Sequence, residues 1–335
     1  MRRHKILLLG AGSIGERHLR CFQATGRADL SLVEINEPLR RSVAARYGIR
    51  HAFADLDAAL ADRPEGAVVA VPASLHVPLA LPLAEAGVHL LIEKPLSTTL
   101  DDIDRLRRIV QDQRLIAATA YVYRCHPQLA AMRQAILAGC FGAPVEVTAV
   151  CGQHFPTYRP AYRSIYYADR AAGGGAIQDA LTHIVNAGEW LVGPVTRLVA
   201  DAAHQVLEGV AVEDTTHLLT RHGRVLGCYS LNQHQAPNEI TLTVVCERGT
   251  ARFEPHENCW RWMIQPGEPW RDERIRPLER DTLFLTQANT FLNAVEGQAS
   301  LPCSLEEGVQ TLRVNLAALA SVADGAWRTI DTGAT

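Results

Sequence analysis

The apolar run Ile6-Leu7-Leu8-Leu9 ends in Gly10-Ala11-Gly12-Ser13-Ile14-Gly15, and few stretches of a chain restrict its fold so tightly. A buried strand, a glycine turn and a helix in immediate succession are the opening of a parallel βαβ unit. Gly10 permits the tight turn, Gly12 lets the backbone approach a pyrophosphate, and Gly15 lets helix and strand pack closely. Ser13 and Ile14 lead into a helix expected from Ile14 to about Ala24, whose unpaired N–H groups and dipole favour a phosphate. A second strand, Leu30-Ser31-Leu32-Val33, ends in Glu34, nineteen residues after Gly15, where a carboxylate accepts hydrogen bonds from an adenosine ribose. Such a carboxylate admits a 2′-hydroxyl and repels a 2′-phosphate, which favours NAD over NADP. Arg40 and Arg41, expected on a solvated helix face, are the groups that could swing towards a phosphate.

A later apolar run, Val88-His89-Leu90-Leu91-Ile92, ends in Glu93-Lys94-Pro95. Ligands of an open parallel sheet gather at the carboxyl ends of its strands, so Glu93 and Lys94 belong beside a bound dinucleotide. Proline stops the strand and restricts Lys94 to an extended or turn conformation. Between these landmarks strand and helix signals alternate. Helices are expected over Pro38 to Tyr47, Leu56 to Ala61, Leu75 to Ala86 and Leu100 to Gln111. The third is kinked or broken at its start by Pro78 and Pro82, and the last has Asp101 and Asp102 in its first turn. Strands are expected over Ala67 to Val71 and Leu115 to Ala118. The alternation implies a doubly wound parallel sheet.

After about Tyr121 the pattern changes, which divides the chain into 1–122 and 123–335. A helix from His126 to Leu137 precedes a strand from Pro144 to Gly152 and a long polar, aromatic loop from Gln153 to Ala172. A helix from Ile177 to Leu191 is followed by strands Val195 to Val206, Thr215 to Arg221, Val225 to Gln233 and Ile240 to Cys246. Connections such as His222-Gly223 and Arg248-Gly249-Thr250 favour hairpins and a mainly antiparallel sheet. Helices from Thr282 to Val295 and Leu305 to Ala323 close the chain. Within the second domain Gly173-Gly174-Gly175 precedes Asp179 and His183, four apart and so on one helical face. A histidine takes and returns a proton near neutrality, and a carboxylate one turn away orients it or supports its cation.

Composition narrows the function classes. With 335 residues, 47% hydrophobic, 21% charged and a formal net charge of −3, the chain has no electrostatic footprint for nucleic acid. No segment reaches the roughly 20 apolar residues that span a bilayer. Eight scattered cysteines without a CxxC pair suit reduced thiols in a cytoplasm, and thirteen histidines without an HExxH pair give no metal site.

Glycine turn, Glu93-Lys94-Pro95 and Gly-Gly-Gly-x-x-x-Asp-x-x-x-His, in that order over nearly the whole chain, resemble the Gfo/Idh/MocA family of nicotinamide-dependent oxidoreductases. Val71-Pro72-Ala73-Ser74-Leu75-His76 is similar to the family's Pro-x-x-x-His turn beside the cofactor, bringing Val71, Pro72, Ser74 and His76 to that site. Tyr123-Arg124-Cys125-His126-Pro127 is similar to its Arg-x-x-Pro crossover. The resemblance implies an N-terminal Rossmann domain and a C-terminal α/β domain with a large, open antiparallel sheet. It implies a homodimer or homotetramer and polyhydroxylated substrates: sugars, sugar derivatives or cyclitols. Lys94, Asp179 and His183 correspond to the motif lysine, acid and histidine. His183 is then the base, Lys94 holds and polarises the oxygen, and Asp179 positions substrate or tunes His183; Lys94 as proton acceptor is the variant. Tyr123, Arg124, His154, Tyr162 and Arg163 are the expected substrate contacts, Arg124 and Arg163 also suiting a carboxylate. The same resemblance takes in hydrolases or eliminases that recycle tightly held NAD, and ligand-sensing regulators, which typically lack part of the triad.

Overall fold

The computed structural model describes residues 3–332. The chain begins with β1 (His4–Leu9), α1 (Ser13–Ala24), β2 (Ala28–Val33), α2 (Glu37–Tyr47), β3 (His51–Phe53), α3 (Leu56–Leu60) and β4 (Gly66–Val69). It continues with α4 (His76–Glu85), β5 (His89–Ile92), α5 (Ile103–Asp112) and β6 (Ala117–Thr119). The six strands pair in parallel in the order β3-β2-β1-β4-β5-β6. β1 is central because it is apolar on both faces: Ile6, Leu7, Leu8 and Leu9 are all buried, as a strand covered by helices on both sides requires.

Then follow α6 (Pro127–Leu137), β7 (Pro144–Gly152), the short α7 (Phe155–Tyr158), α8 (Thr182–Val192), β8 (Arg197–Ala203), β9 (Thr215–His222), β10 (Val225–Asn232) and β11 (Glu239–Cys246). β12 (Gly249–Glu254), β13 (Cys259–Met263), β14 (Arg271–Arg274), α9 (Thr282–Val295), α10 (Leu305–Asp324) and β15 (Arg328–Thr329) complete the described chain. The second sheet runs β14-β13-β12-β11-β7-β10-β9-β8-β15, antiparallel at every pairing except β10 with β7. Among the described residues no helix is long and apolar enough to cross a membrane.

Two compact units result: 1–125 with 279–309, and 126–278 with 310–335. The first is discontinuous because α9 supplies part of its core. Ala288, Phe291 and Leu292 pack with Leu19 and Phe22 of α1 and with Ile6, Leu8 and Val68 of the sheet, Phe22 meeting Phe291 edge-on at 6.2 Å between centroids. A single cut near residue 122 misses this return: the helix itself is legible in the spacing, but not the unit whose core it joins. In the second unit α8 is bound to α10 by polar contacts. Asn186 donates to Thr311 Oγ1 at 2.9 Å, Thr311 to Glu189 at 2.6 Å, and Asn315 to Thr182 Oγ1 at 2.9 Å.

Several local expectations need correcting. The helix expected from Leu100 begins at Ile103, with Asp102 left-handed at φ 58° before it, so Asp101 and Asp102 lie in a turn. The segment before α4 is a 3₁₀ turn, Ala73–Leu75, and Pro78 falls in the first helical turn, where a missing N–H costs no bond. The segment 153–172 is not open loop but a chain of short turns packed on one aromatic cluster of Phe155, Tyr162, Tyr167, Leu207 and Val212. Residues Ile177–Leu181 form a π-helical turn before α8, a form frequent at functional sites. β12, β13 and β14 extend the sheet beyond the expected strands; β14, Arg-Asp-Glu-Arg, is a charged edge without apolar alternation.

Two buried histidines make the second unit acid-sensitive. His222 Nδ1 donates to Gly193 O at 2.7 Å and its Nε2 faces the hydroxyls of Thr220 and Tyr229 at 3.1 Å. His126 Nδ1 accepts the N–H of Gln128 at 3.3 Å. Burial lowers both rings to about 4, so the folded state refuses a proton that the unfolded chain accepts near 6.5. Stability is therefore full above about pH 6.5 and falls as pH drops towards 4, by about 1.4 kcal/mol per pH unit for each ring. Urea unfolding between pH 7 and 4.5 should show stability falling with pH, and His222→Gln should make the fall shallower.

Candidate functional site

The glycine turn is built as its residues require. Gly10 has φ +88°, and a Cβ there would sit 2.6 Å from Ala70 O; one on Gly15 would collide with Gly10 O. These two glycines serve the contact between α1 and the strands. Gly12 is different: it is the exposed N-cap of α1, a Cβ on it would meet nothing within 4 Å, and no side chain caps the helix. Open space above an uncapped helix start fits a pyrophosphate. Ser13 is exposed and Ile14 half-buried beside it.

Glu34 stands at the carboxyl end of β2. Its Oε2 accepts the N–H of Ala11 and its Oε1 that of Asn36, both at 2.8 Å. The carboxylate thus pins the strand end to the glycine turn, and each oxygen keeps a lone pair for a ribose hydroxyl. Arg40 donates to the Glu34 carbonyl at 2.6 Å and Arg41 pairs with Glu37 at 2.5 Å, so both arginines have partners within α2 and the end of β2.

At the end of β4, Val71 is half-buried, and Pro72 and Ser74 are exposed in the turn. His76 lies beneath it, only 1% exposed: its Nε2 is 2.8 Å from Val71 O and its Nδ1 2.9 Å from Pro95 O. Burial holds this ring below the ordinary histidine range, against the pull of the Val71 carbonyl and of Glu93. A neutral imidazole has one N–H, so the ring donates to one of these carbonyls and packs against the other, lying beneath the turn after β4 and the turn after β5. Glu93 is buried, takes the Lys94 backbone N–H at 2.9 Å and has His18 Nε2 at 2.7 Å. Burial opposes its charge, yet the His18 hydrogen bond, with the Lys94 charge and backbone N–H, holds the carboxyl below the usual range. Lys94 is half-buried at the end of β5, before a cis peptide to Pro95.

In the second unit Asp179 lies in the π-helical turn and His183, half-buried, in the first turn of α8. The Asp179 side chain is wholly buried, takes the Tyr166 hydroxyl at 2.5 Å and is paired with Arg159, whose guanidinium stacks on Phe155 at 5.0 Å. Gly174 and Gly175 have no room for a Cβ against Tyr167 O and the Glu213 carboxylate, so here the glycine run serves packing. Glu213 in turn accepts from Arg170 at 2.7 Å and from Ile177 N at 3.2 Å, anchoring the turn that carries Asp179.

The expected substrate contacts divide. Tyr123 and His154 are half-buried, His154 sharing a hydrogen bond with Thr157 Oγ1 at 2.8 Å and facing the His234 ring at 4.7 Å. Tyr162 is a core residue: it is fully buried and its hydroxyl donates to Glu208 O at 2.8 Å. Arg163 donates to Tyr162 Oη at 3.0 Å and to Glu208 at 3.2 Å. Arg124 is buried, pairing with Glu307 and donating to Pro302 O at 3.1 Å, so it is a structural cation and not a carboxylate clamp. Sequence reasoning missed His18, although it follows Gly15 by three, one helical turn. Arg159 and Tyr166 belong to the polar, aromatic segment read as suited to a polyhydroxylated ligand, and their side chains close on Asp179.

Residues 4–121 match the oxidoreductase family with an NAD-binding Rossmann fold named GFO_IDH_MocA, and residues 129–252 match the GFO/IDH/MocA C-terminal domain. Levoglucosan dehydrogenase of Pseudarthrobacter phenanthrenivorans is 27% identical over 197 residues, 56% of this chain and 50% of that protein, so that match spans half of the relative's length. UDP-N-acetylglucosamine 3-dehydrogenase of Acidithiobacillus ferrooxidans is 26% identical over 93% of this chain and 94% of its own. Inositol 2-dehydrogenase of Rubrobacter xylanophilus is 24% identical over 74% and 70%. The solved structure of a levoglucosan dehydrogenase with NADH and levoglucosan superimposes with a TM-score of 0.89 at 20% identity, covering 98% of this chain and 100% of that one. The chain therefore belongs to the Gfo/Idh/MocA oxidoreductase family, with an NAD-binding Rossmann domain followed by the family's mainly antiparallel C-terminal domain.

Proposed function

We propose that this protein is an NAD-dependent dehydrogenase that moves a hydride between a secondary alcohol of a sugar, sugar derivative or cyclitol and the nicotinamide. The observation that carries the reading is Lys94, a primary amine at the carboxyl end of β5 in an NAD-binding Rossmann unit. Relatives named for levoglucosan, UDP-N-acetylglucosamine and inositol support the substrate class. NAD, when bound, supplies the hydride acceptor.

The side chains supply the rest. Oxidation of an alcohol removes the hydroxyl proton as hydride leaves the same carbon, so the oxygen needs a cationic or hydrogen-bonding partner and the proton needs a base. Lys94 holds the oxygen and stabilises its developing charge. His183 takes the proton. Asp179, buried and tied to Arg159 and Tyr166, keeps a carboxylate in the turn that leads into His183. Activity is tested by incubating the protein and NAD with levoglucosan, myo-inositol and a panel of pyranoses while following NADH absorbance. Steady NADH production supports a dehydrogenase; substrate conversion without net NADH would instead indicate recycling of a held cofactor.

Calorimetric titration should show NAD(H) bound more tightly than NADP(H), with the preference narrowed in Glu34→Ala; tighter NADP binding by the unmodified chain would defeat the role given to Glu34.

Lys94→Ala should lower turnover by roughly 10²–10³, typical of losing one electrostatic donor, with NAD affinity nearly unchanged. Activity within a few-fold of the parent would leave Lys94 a turn residue only.

His183→Ala should lower the rate and abolish the acidic limb of the turnover–pH profile. Asp179→Asn should move that limb to lower pH, because it removes a negative charge and leaves Arg159 uncompensated. Persistence of the same limb in His183→Ala would pass the role of base to Lys94.

A further inference from the structure

His18 is buried on α1, one turn beyond Gly15, and its Nε2 lies 2.7 Å from Glu93 Oε1. The other oxygen of that carboxylate accepts the backbone N–H of Lys94 at 2.9 Å. One carboxylate therefore joins the helix that starts at the glycine turn to the residue carrying the amine. The ring has no second hydrogen bond: Nδ1 is buried and unpartnered, and the nearest aromatic, Phe284, meets the imidazole edge-on at 5.3 Å between centroids. A proton on Nδ1 would be an orphaned buried donor, the rarest kind of unpaired polar group. The proton that faces the carboxylate is accordingly on Nε2, and the ring donates it to Glu93. The groups facing that carboxylate are His18 from α1, His76 from α4 and Lys94 from its own corner.

We propose that His18 is a positioning residue for Lys94: by donating to Glu93 it keeps a buried negative charge, and the turn attached to it, beside the Lys94 amine. The tie makes the placement and acidity of Lys94 depend on a residue of the cofactor-binding helix. Without the Nε2 donor, burial drives Glu93 towards its neutral acid, and the Lys94 ammonium loses the charge that favours it. Lys94 then gives up its proton at lower pH. The consequence for turnover rests on the proposed function; the effect on Lys94 itself does not.

The chain contains two lysines, Lys5 and Lys94, so protein grown with 13C-labelled lysine shows two side-chain Cε signals, assigned with Lys5→Arg. Their chemical shifts, followed against pH with NAD present and no substrate, titrate each amine separately. In His18→Leu the Lys94 signal should titrate lower than in the parent by about half a pH unit or more, with Lys5 unmoved. His18→Gln, whose amide can donate to Glu93, should stay near the parent. A folded His18→Leu protein with an unshifted Lys94 titration overturns the proposal, because a purely structural histidine would change stability alone. Should His18→Leu fail to fold, the unmodified chain decides: 15N-histidine spectra, with His18 assigned through His18→Gln, should show the Nε2–H ring, and protonation on Nδ1 only would overturn the proposal. Neither measurement involves substrate, so a failure of the dehydrogenase assay stays distinct from a failure here.

Discussion

The first unit depends on how closely α1 lies against the strand ends beneath it. A side chain on Gly15 would strike the Gly10 carbonyl, and one on Gly10 the carbonyl of Ala70, so three pieces of backbone meet with nothing between them. That contact sets where the helix starts and which residues face inward one turn later. His18 is buried against Glu93 for this reason, and Glu34 reaches the Ala11 N–H because the turn stays low. Glycine here is a statement about distance: substituting either position moves the helix off the sheet and takes the phosphate-binding N–H groups with it.

The strand ends after β4 and β5 form a second level of organisation resting on that contact. His76 spans from Val71 to Pro95, and Glu93 spans from His18 to the Lys94 amide. Both connections are buried and both end on backbone atoms, so they fix the chain path more than they fix any one side chain. The second unit uses a comparable device with other residues: Glu213 grips the start of the π-helical turn, and Arg159 with Tyr166 grips the carboxylate within it. In each case a buried charge is met by donors on neighbouring segments, the condition under which such a charge is tolerated.

Much of this frame is legible in the sequence because it is written in local periodicity. The glycine turn, the apolar strands β1 and β5, the helix over Thr282–Val295 and the alternating strands β9 and β10 follow from spacing alone. What escapes is whatever depends on a partner far along the chain. Arg124 and Arg159 look alike in sequence, yet Glu307 occupies one and Asp179 the other, so their roles separate only after folding. Tyr162 looks like a ligand-facing tyrosine until Phe155, Leu207 and Val212 enclose it. β14 is all charge because it is an edge, and an edge strand is defined by a neighbour that is missing. The π-helical turn inserts its extra residue without any compositional mark.

The return of residues 279–309 to the first unit has a consequence for the order in which the protein is made. α9 contributes Ala288, Phe291 and Leu292 to the core around Phe22, and on the ribosome it emerges only after every strand from β7 to β14. Until then the nascent parallel sheet carries an apolar flank on α1 with no helix to cover it, so the unit that starts first must wait through most of synthesis, and the second unit closes later still, when α10 and β15 follow. A fragment ending at residue 125 keeps the glycine turn and Lys94 but leaves that flank open to water.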